Sequence, residues 1–410
     1  MDGARMDSPS STLGATIDDI RRQNLAQVLR LVHRDGPLSR AEITRATGLN
    51  RSTVGGLVTD LSQRGLVEEN PATAVRKVGR PSPSVTASDQ AAAIAVNPEI
   101  DAIDVALVGL SGRVLHRVRY RNERTPTVGE FVNVVSAIIE GMRPAFGDAA
   151  VLGIGVALPG LVREADGSVI LAPHLGWREA AVGQLVEEAT GMRVVVGNDA
   201  NCGVVAESTF GAGRGDGVII YLNGGASGIG GGIVINGRLV TGEGGNAGEF
   251  GHTAVSTRGS RCHCGATGCL ETEVRRDRFV EAAGLGDVDP EAVLDAMAVE
   301  WLDRTGDGGL EIDRQVSRLA VALRSIVNIF NPRTVILGGH LAHLLAVVGE
   351  DEIHRRIAPT LPGGGSEPEI VGARLDDELL LIGAAELVFA QALGDPTVMP
   401  SRAVASAFAR

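Results

Sequence analysis

The chain has 410 residues, of which 44% are hydrophobic and 21% are charged, and its net charge at pH 7 is −12. This length exceeds that of one domain, so we expect two or three folded units, each with its own core. No uncharged run of about 20 residues could span a bilayer, and residues 1–11 lack the pattern of a signal peptide. We therefore expect a cytoplasmic protein that has no membrane partner.

The charge is distributed unevenly along the chain. Residues 21–86 contain eleven Arg and Lys against five Asp and Glu, which gives a net charge of +6. Residues 1–20, predicted as a flexible arm, carry −3, so the part after Thr86 carries −15. A basic module ahead of an acidic body is typical of a protein whose first part contacts DNA while its second part repels it.

Three helices are predicted in the basic module. The first ends at Asp35-Gly36-Pro37, the second opens with the capping-box pattern Ser39-x-x-Glu42 and ends at Gly48, and Asn50 caps the third. The first and third helices each have one apolar stripe at helical spacing. The stripes are Leu25, Val28, Leu29 and Val32, and Val54, Leu57, Val58 and Leu61.

Two short helices joined by a glycine turn are typical of a helix-turn-helix. Arg51, Ser52 and Thr53, in the first turn of the third helix, are therefore predicted to contact bases or phosphates of double-stranded DNA. The alternative is a three-helix protein-binding module whose arginines are only solvated. The order of cap, glycine turn and apolar stripe favours the DNA-binding interpretation.

A wing is predicted after the third helix. A strand starts at Gly65-Leu66-Val67-Glu68-Glu69, and the chain returns toward Val85. Arginine next to Gly and Pro in an extended segment suits the minor groove or the phosphate backbone. The predicted DNA contacts of this tip are Arg76, Lys77 and Arg80. We thus assign residues 21–86 to a winged helix-turn-helix.

From Ala92 the pattern changes to alternating strands and helices, which predicts an α/β body of two lobes with a cleft between them. One helix is predicted at Val128–Phe146, and Asn236-Gly237 predicts a hairpin turn. The predicted strands are Ala92–Val96, Ile103–Leu110, Val114–Tyr120, Val151–Ala157, Val194–Val196, Val218–Leu222, Gly232–Ile235 and Val335–Leu337.

Five motifs follow one another in this body. They are Gly153–Gly160 (GIGVALPG), Gly197–Asn201 (GNDAN), Gly228–Ile233 (GIGGGI), Gly248–His252 (GEFGH) and Cys262–Glu271 (CHCGATGCLE). Each glycine-rich motif alone is weak evidence, but the ordered set resembles the ROK family of repressors and sugar kinases from about Ala92 to Ala392. The winged module in front resembles the repressor branch of that family.

The resemblance implies a winged helix-turn-helix followed by a two-lobed, actin/hexokinase-like α/β domain with a zinc-bound loop. Lobe 1 is assigned to residues 87–198 and lobe 2, with the zinc loop, to residues 199–371. A C-terminal helix at residues 372–395 is expected to return to lobe 1, and residues 396–410 are expected to form a tail.

The spacing His252-x9-Cys262-x-Cys264-x4-Cys269 supplies one imidazole and three thiols. Such a set closes a tetrahedral zinc site and leaves no position for water, so we predict one structural Zn²⁺ per chain. His263 is an alternative ligand, but the resemblance favours His252. The remaining alternative is a loop of reduced thiols without metal.

The resemblance also implies a sugar pocket. The residues at the sugar-binding positions of ROK kinases are Asn198, Asp199, Glu249, His252 and Glu271, and the Asp199 position is that of the general base. Carboxylates accept hydrogen bonds from vicinal hydroxyls and so orient a sugar. His174 stands where kinases usually have Asn, as in repressor members, and it is a further candidate ligand contact. Alternatively, these groups are inherited and line an empty cleft.

The phosphate loop departs from the kinase pattern. ROK kinases have Asp-x-Gly-Gly-Thr after the first strand, whereas the equivalent stretch here is Asn97–Asp101. Pro98 lacks an N–H donor, and Glu99 and Asp101 bring negative charge to where ATP phosphates would bind. Phosphoryl transfer depends on positioning and charge neutralisation, so we predict no catalytic activity.

We therefore predict a bacterial transcription regulator, more often a repressor than an activator of carbohydrate-use genes, associated with the nucleoid through its operator DNA. A sugar or sugar phosphate is the expected effector, and a homodimer or homotetramer is the expected assembly. The main alternative is an active ATP-dependent sugar kinase with a fused DNA-binding domain. A sensor that binds a phosphotransferase-system protein instead of a sugar is also known among relatives.

Overall fold

The computed structural model describes residues 16–71, 83–225, 228–286, 290–357 and 367–399. They form two compact units, one of residues up to Ser88 together with those from Ala390 on, and one that runs from Asp89 to Phe389. Within these ranges, no helix has both the length and the apolar character needed to cross a membrane. The predicted wing-tip contacts Arg76, Lys77 and Arg80 lie outside the described residues, as do residues 1–15 of the predicted arm and the predicted tail beyond Met399.

The smaller unit has the predicted winged helix-turn-helix fold. Its sheet is antiparallel, with the strand order β1-β3-β2. The pairing of β2 with β3 forms the predicted wing, and the first strand of the sheet was not predicted. In chain order the elements are α1 (Ile17–Asp35), β1 (Leu38–Ser39), α2 (Arg40–Thr47), α3 (Arg51–Gln63), β2 (Val67–Asn70) and β3 (Ser84–Ala87).

Side-chain caps set the ends of these helices. Glu42 accepts a hydrogen bond from Ser39 N at 2.8 Å while Ser39 Oγ accepts from Glu42 N at 3.2 Å, so the predicted capping box of α2 is present. Gly48 ends α2 with a φ of 70°, a left-handed conformation that glycine adopts at low cost. The apolar stripes of α1 and α3 are buried as predicted.

The first sheet of the larger unit has five strands in the order β11-β7-β4-β5-β6. Strand β7 pairs in parallel with β4 and β11, and the other pairs are antiparallel. Strands β8, β9 and β10 form a separate small antiparallel sheet. The elements are β4 (Ala91–Pro98), β5 (Ala102–Gly109), β6 (Val114–Arg121), α4 (Val128–Met142), β7 (Ala150–Leu158), β8 (Leu161–Arg163), β9 (Ser168–Ala172), β10 (Trp177–Ala180), α5 (Val182–Thr190), β11 (Val194–Asn198) and α6 (Asp199–Thr209).

The second sheet also has five strands, in the order β14-β13-β12-β15-β16. Each sheet has its own apolar core, which confirms the predicted two-lobed α/β body. The elements are β12 (Val218–Gly225), β13 (Gly228–Ile235), β14 (Arg238–Leu239), α7 (Leu270–Glu273), α8 (Arg276–Ala282), α9 (Pro290–Leu302), α10 (Asp307–Phe330), β15 (Thr334–Gly339), α11 (His340–Val348), α12 (Glu350–Ile357), β16 (Glu369–Gly372) and α13 (Leu379–Gly394).

Helix α13 lies directly against β7. A Cβ atom on Gly155 would stand 1.8 Å from the carbonyl oxygen of Ala384, so only glycine permits this approach. The GIGVALPG motif is therefore explained in part by packing. The last turns of α13 and the 3-10 turn Pro396–Val398 belong to the smaller unit, and there Arg64 donates a hydrogen bond to Met399 O at 2.5 Å.

Candidate functional site

The first turn of α3 carries the predicted base contacts. Arg51 and Ser52 are exposed, and Thr53 is half-buried. Asn50 Oδ1 accepts hydrogen bonds from Thr53 N at 2.8 Å and from Ser52 Oγ at 2.7 Å. The cap thus holds the turn in place and uses the hydroxyl hydrogen of Ser52, which leaves the guanidinium of Arg51 as the charged group at this end of the helix.

Several arginines of the basic module are already paired. Arg40 forms a two-pronged ion pair with Glu69, at 2.6 and 2.9 Å. Arg21 and Arg64 both contact Asp60, at 2.7 and 2.8 Å. By contrast, Arg45 and Arg51 are exposed and make no ion pair within the described part of the chain. Sequence reasoning did not single out Arg45, and only the structure separates the arginines that bind protein from those exposed to solvent.

The His/Cys cluster lies in the loop between β14 and α7. The ligand atoms of His252, Cys262, Cys264 and Cys269 all lie within 4.8 Å of one another. Cys264 Sγ is 3.7 Å from Cys269 Sγ, and Cys262 Sγ is 3.5 Å from His252 Nδ1. These side chains are therefore brought together as the sequence spacing predicts.

Zinc bonds of about 2.3 Å to sulfur and about 2.0 Å to nitrogen, in tetrahedral geometry, place two sulfurs about 3.7 Å apart and sulfur and nitrogen about 3.5 Å apart. Both observed separations match these values. Cys264 N also donates to Cys262 Sγ at 3.5 Å, but burial and the hydrogen bond to Glu271 raise the pKa of the metal-free Cys262 thiol, so a metal ion must displace that proton when it binds. The cluster fits a tetrahedral metal ion in both its donor chemistry and its spacing.

His263 lies farther from the cluster than His252. Its Nδ1 is 3.9 Å from Cys262 Sγ and 3.1 Å from Glu271 Oε1. The same Glu271 oxygen accepts from Cys262 Sγ at 2.9 Å and lies 3.4 Å from His252 Nδ1. A second possible donor set, His252, His263 and Glu271, thus shares the imidazole of His252 with the first. Glu271 joins the metal cluster to the predicted sugar pocket.

Asn198 and Asp199 stand at the junction of β11 and α6. Asn198 caps α6 by accepting from Asn201 N at 3.1 Å, and its amide donates to Gly160 O at 2.9 Å. Burial, helped by the nearby Glu249 carboxylate and opposed by the bond from Ala200 N, raises the pKa of Asp199 to about 6. A carboxyl group with this pKa can exchange a proton near neutral pH.

Glu249 connects these residues to the metal loop. Its Oε2 is 3.9 Å from His252 Nε2, on the side of the ring opposite the thiols. Burial raises the pKa of Glu249 above its ordinary value. The predicted sugar residues Asp199, Glu249, His252 and Glu271 therefore form a continuous series of neighbouring polar groups.

A cavity of about 590 Å³ opens beside this series. Its wall includes the predicted contacts His174 and Glu271, whereas Asn198, Asp199, Glu249 and His252 do not line it. The wall also has residues that the sequence reasoning missed, since they are far apart in the chain. The most polar of these are Arg261, Arg275, Arg276, Asp277 and His340.

In the stretch Asn97–Asp101, Asn97 and Pro98 are the last residues of β4, and residues 99–101 form the tight turn to β5. Glu99 N donates to Ala102 O at 2.8 Å, which closes the turn. The Glu99 carboxylate pairs with Arg119 at 2.9 Å, so part of the negative charge predicted here is balanced. The backbone amide of Glu99 is used within the turn and is not available to a phosphate.

A model of the ROK family matches residues 94–391. The chain belongs to the ROK family. A model of the MarR family matches residues 9–76 of this ROK protein, which covers the three helices and β2 of its winged helix-turn-helix. The predicted family and N-terminal domain are therefore confirmed.

Similar proteins that match over most of this chain are regulators. The Xylose repressor of Bacillus subtilis (strain 168) is 26% identical, over 90% of this chain and 95% of its own length. The DNA-binding transcriptional dual regulator NagC of Escherichia coli (strain K12) is 29% identical, over 79% of this chain and 82% of its own. A crystal structure of a ROK family transcriptional regulator, a homologue of the E. coli MLC protein, has a TM-score of 0.71, with 25% identity over 92% of this chain and 97% of its own.

Sugar kinases match the body of this ROK protein. A ROK family glucokinase from Streptomyces griseus, solved with glucose and AMPPNP, has a TM-score of 0.59 and 27% identity, over 72% of this chain and 98% of its own. The match includes nearly all of the kinase. It includes a smaller share of this chain than the matches to the regulators do.

Proposed function

We propose that this ROK protein is a sequence-specific transcriptional repressor of carbohydrate-use genes. It binds operator DNA through α3 and the wing, and a sugar or sugar phosphate in the cleft of the larger unit controls that binding. The observation that carries the proposal is the full-length similarity to the Xylose repressor, which spans the winged helix-turn-helix and the sugar-kinase-like body together.

The DNA contacts that we assign are Arg51, Ser52, Thr53, Arg76, Lys77 and Arg80. Exposure of Arg51 at the capped start of α3 supports the first of these. The helix N-terminus adds a favourable field for a phosphate. Two copies of the winged unit in a homodimer or homotetramer would read two half-sites about 34–36 Å apart.

The ligand contacts that we assign are Asn198, Asp199, Glu249, His252, Glu271 and His174. One Zn²⁺ per chain, held by His252, Cys262, Cys264 and Cys269, has a structural role in this proposal, since four protein ligands leave no position for a substrate. The ion fixes the loop that carries Glu249 and Glu271, so ligand hydroxyls can bridge this loop to Asp199.

An active sugar kinase is the second candidate function, and the pKa of about 6 at Asp199 suits a general base. The turn at Asn97–Asp101 argues against it. Pro98 has no N–H, and the amide of Glu99 is bonded to Ala102 O, so neither can hold an ATP phosphate. We therefore infer that the protein binds a sugar without phosphorylating it.

Operator binding with and without sugars tests the proposal. Duplexes selected from random DNA by the purified protein serve as the operator, and a panel of pentoses, hexoses, amino sugars and their phosphates serves as the effector. We expect one compound to change operator affinity by about 5- to 150-fold, the usual range of coupling between two sites.

Glu249→Ala is the variant for the same assay. It should bind operator as wild type does and lose the response to the effector. Failure of the protein to select any sequence would refute the proposal, and saturable ATP-dependent phosphorylation of a sugar, lost in Asp199→Asn, would establish the kinase instead.

A further inference from the structure

Cys264 differs from the other three cysteines in its exposure. Cys262 has 3% of its surface exposed, and Cys202 and Cys269 have 0%, whereas Cys264 is exposed. It lies in the turn of residues 263–267, all of which are exposed. Oxidation of a cysteine depends on the access of the oxidant to its sulfur. A small oxidant in the solvent therefore reaches Cys264 before any other thiol of the chain.

Cys269 is the thiol placed to react with Cys264. The two Sγ atoms are 3.7 Å apart, and sulfurs in a disulfide are about 2.05 Å apart, so an approach of about 1.7 Å joins them. Cys262 is the less suitable partner. Its Sγ donates a hydrogen bond to Glu271 Oε1 at 2.9 Å, and a bridge to Cys264, only two positions along the chain, would close a small, strained ring. The geometry thus selects the pair Cys264 and Cys269.

The turn that carries Cys264 has room for this approach. Apart from its chain neighbours, a Cβ atom on Gly265 would meet no atom within 4 Å, so open space adjoins Cys264. Cys269 is held in place, because its backbone pairs with Ala254 and the next residue, Leu270, donates a hydrogen bond to the backbone at 2.9 Å. The exposed Cys264 is therefore the partner that moves.

Formation of this disulfide changes the donor set of the metal. A cysteine binds zinc as its thiolate, and a disulfide has no thiolate left. Oxidation leaves His252 and Cys262 as the remaining members of the cluster, which are too few for a structural zinc site with four protein ligands. The loop that carries Glu249 and Glu271 then loses the ion that fixes it in the proposed function.

We propose that Cys264 and Cys269 form a peroxide-sensitive modification site, whose oxidation to a disulfide releases the metal ion and uncouples the sugar ligand from operator binding. The inference rests on the proposed function and identifies a regulation of the same site by hydrogen peroxide. Oxidised protein keeps its operator bound, because all four cysteines lie in the larger unit and none lies in the DNA-binding unit.

The reaction consumes one peroxide per disulfide. The Cys264 thiolate attacks one oxygen of hydrogen peroxide, the O–O bond breaks, and a sulfenic acid and a hydroxide ion form. The Cys269 thiolate then attacks the sulfenic sulfur, so that the S–S bond forms while the S–O bond breaks and a second hydroxide ion leaves. Two protons from the solvent convert both hydroxide ions to water. The two sulfurs lose two electrons in all, and the peroxide gains them.

Zinc release and peptide mapping test the proposal on the full-length protein. Hydrogen peroxide is added to protein purified without chelator, and a chromogenic chelator measures the zinc that is set free. We expect the release of about one zinc ion per chain, and dithiothreitol with added zinc should restore the loaded protein. Trypsin leaves Cys262, Cys264 and Cys269 on one peptide, residues 262–275. After oxidation and alkylation, this peptide should carry one alkylated thiol, at Cys262, and a disulfide between the other two.

Cys202→Ala is the matched control, because it removes a buried thiol outside the cluster and should release zinc as wild type does. Cys264→Ser should form no disulfide, since the buried thiols of Cys262 and Cys269 are shielded from peroxide. Cys262→Ser should still form the bridge, since it keeps both partners. Wild type stripped of its metal should form the same disulfide, which separates loss of a thiol from loss of zinc. Thermal melts confirm that each variant is folded.

Retention of zinc by oxidised wild type would overturn the proposal, as would a bridge between Cys262 and Cys264 or the absence of any disulfide. The operator assay with the same panel of sugars measures the regulation. Oxidised protein should bind operator as reduced protein does and lose the response to the sugar, and an unchanged response would refute the regulation. If the protein selects no DNA, the repressor function falls, while zinc release and the disulfide are still measured.

Discussion

Replacing Asn50 with alanine removes the side-chain cap of α3 and leaves the core intact. The variant loses two hydrogen bonds, from Thr53 N at 2.8 Å and from Ser52 Oγ at 2.7 Å, and water replaces part of both because Asn50 is exposed. Loss of an N-cap costs about 1 kcal/mol, within a range of about 0.5–2 kcal/mol. The first turn of α3 should therefore open about fivefold more often.

Hydrogen exchange followed by mass spectrometry measures this opening in the full-length protein. Peptides that cover α3 should exchange about fivefold faster in Asn50→Ala, while peptides from the larger unit should be unchanged. Operator affinity should fall by less than fivefold. The apparent affinity is the intrinsic affinity multiplied by the fraction of molecules in which the first turn is formed, and that fraction changes by less than the opening frequency does.

Asn50→Ser and Asn50→Asp separate the cap from the charge. Both keep an acceptor for Thr53 N, so exchange in α3 should stay close to wild type, and the helix dipole favours the aspartate. The aspartate nevertheless brings negative charge to the DNA-facing end of α3 and should weaken operator binding, most strongly at low salt. Wild-type affinity in Asn50→Asp would show that the capped turn does not face DNA, and unchanged exchange in Asn50→Ala would show that the cap does not hold the turn.

The metal cluster and the buried carboxyl give two further predictions. Cys264→Ser should lower the zinc content, measured by elemental analysis, well below one ion per chain and should lower the temperature of the unfolding midpoint. Cys202→Ala changes a buried thiol outside the cluster and should keep its zinc. A full zinc content in Cys264→Ser would contradict the site. Burial raises the pKa of Asp199 in the folded protein to about 6. Its carboxyl group therefore has no effect on stability below about pH 4, lowers stability as the pH rises from 4 to 6, and has its full destabilising effect above pH 6. Asp199→Asn should therefore stabilise the larger unit by up to about 3 kcal/mol at pH 8, at about 1.36 kcal/mol per pKa unit, and by much less at pH 4.5. Urea unfolding followed by the fluorescence of Trp177 and Trp301 measures this, and an equal gain at both pH values would show that the carboxyl is not perturbed.

Local signals in the sequence predicted a large part of the fold. Capping residues such as Ser39 and Asn50 act within three residues, so the starts of α2 and α3 follow from the sequence alone. The cysteine spacing likewise acts within one loop, and the structure brings those side chains together. The predicted strands are all present, with bounds shifted by a few residues.

Features that depend on long-range packing were not predictable in this way. Arg64, just beyond the end of α3, bonds to Met399 O, which lies 335 residues away along the chain. Arg40 is paired with Glu69, so counting basic residues overstates the charge available to DNA. The polar wall of the cavity joins α8, α10 and α11, and no single stretch of sequence contains its residues.

The smaller unit is built from both ends of the chain. Its winged helix-turn-helix is synthesised before the larger unit, but two of its partners are synthesised after that unit. They are Asp395, which lies 3.9 Å from Arg22, and the carbonyl of Met399 that Arg64 binds. The complete DNA-binding unit therefore cannot form until the whole ligand-binding body has been translated. A chain that stops before residue 395 lacks these contacts, so protein engineers who exchange the N-terminal domain of such a regulator should exchange residues 390–399 as well.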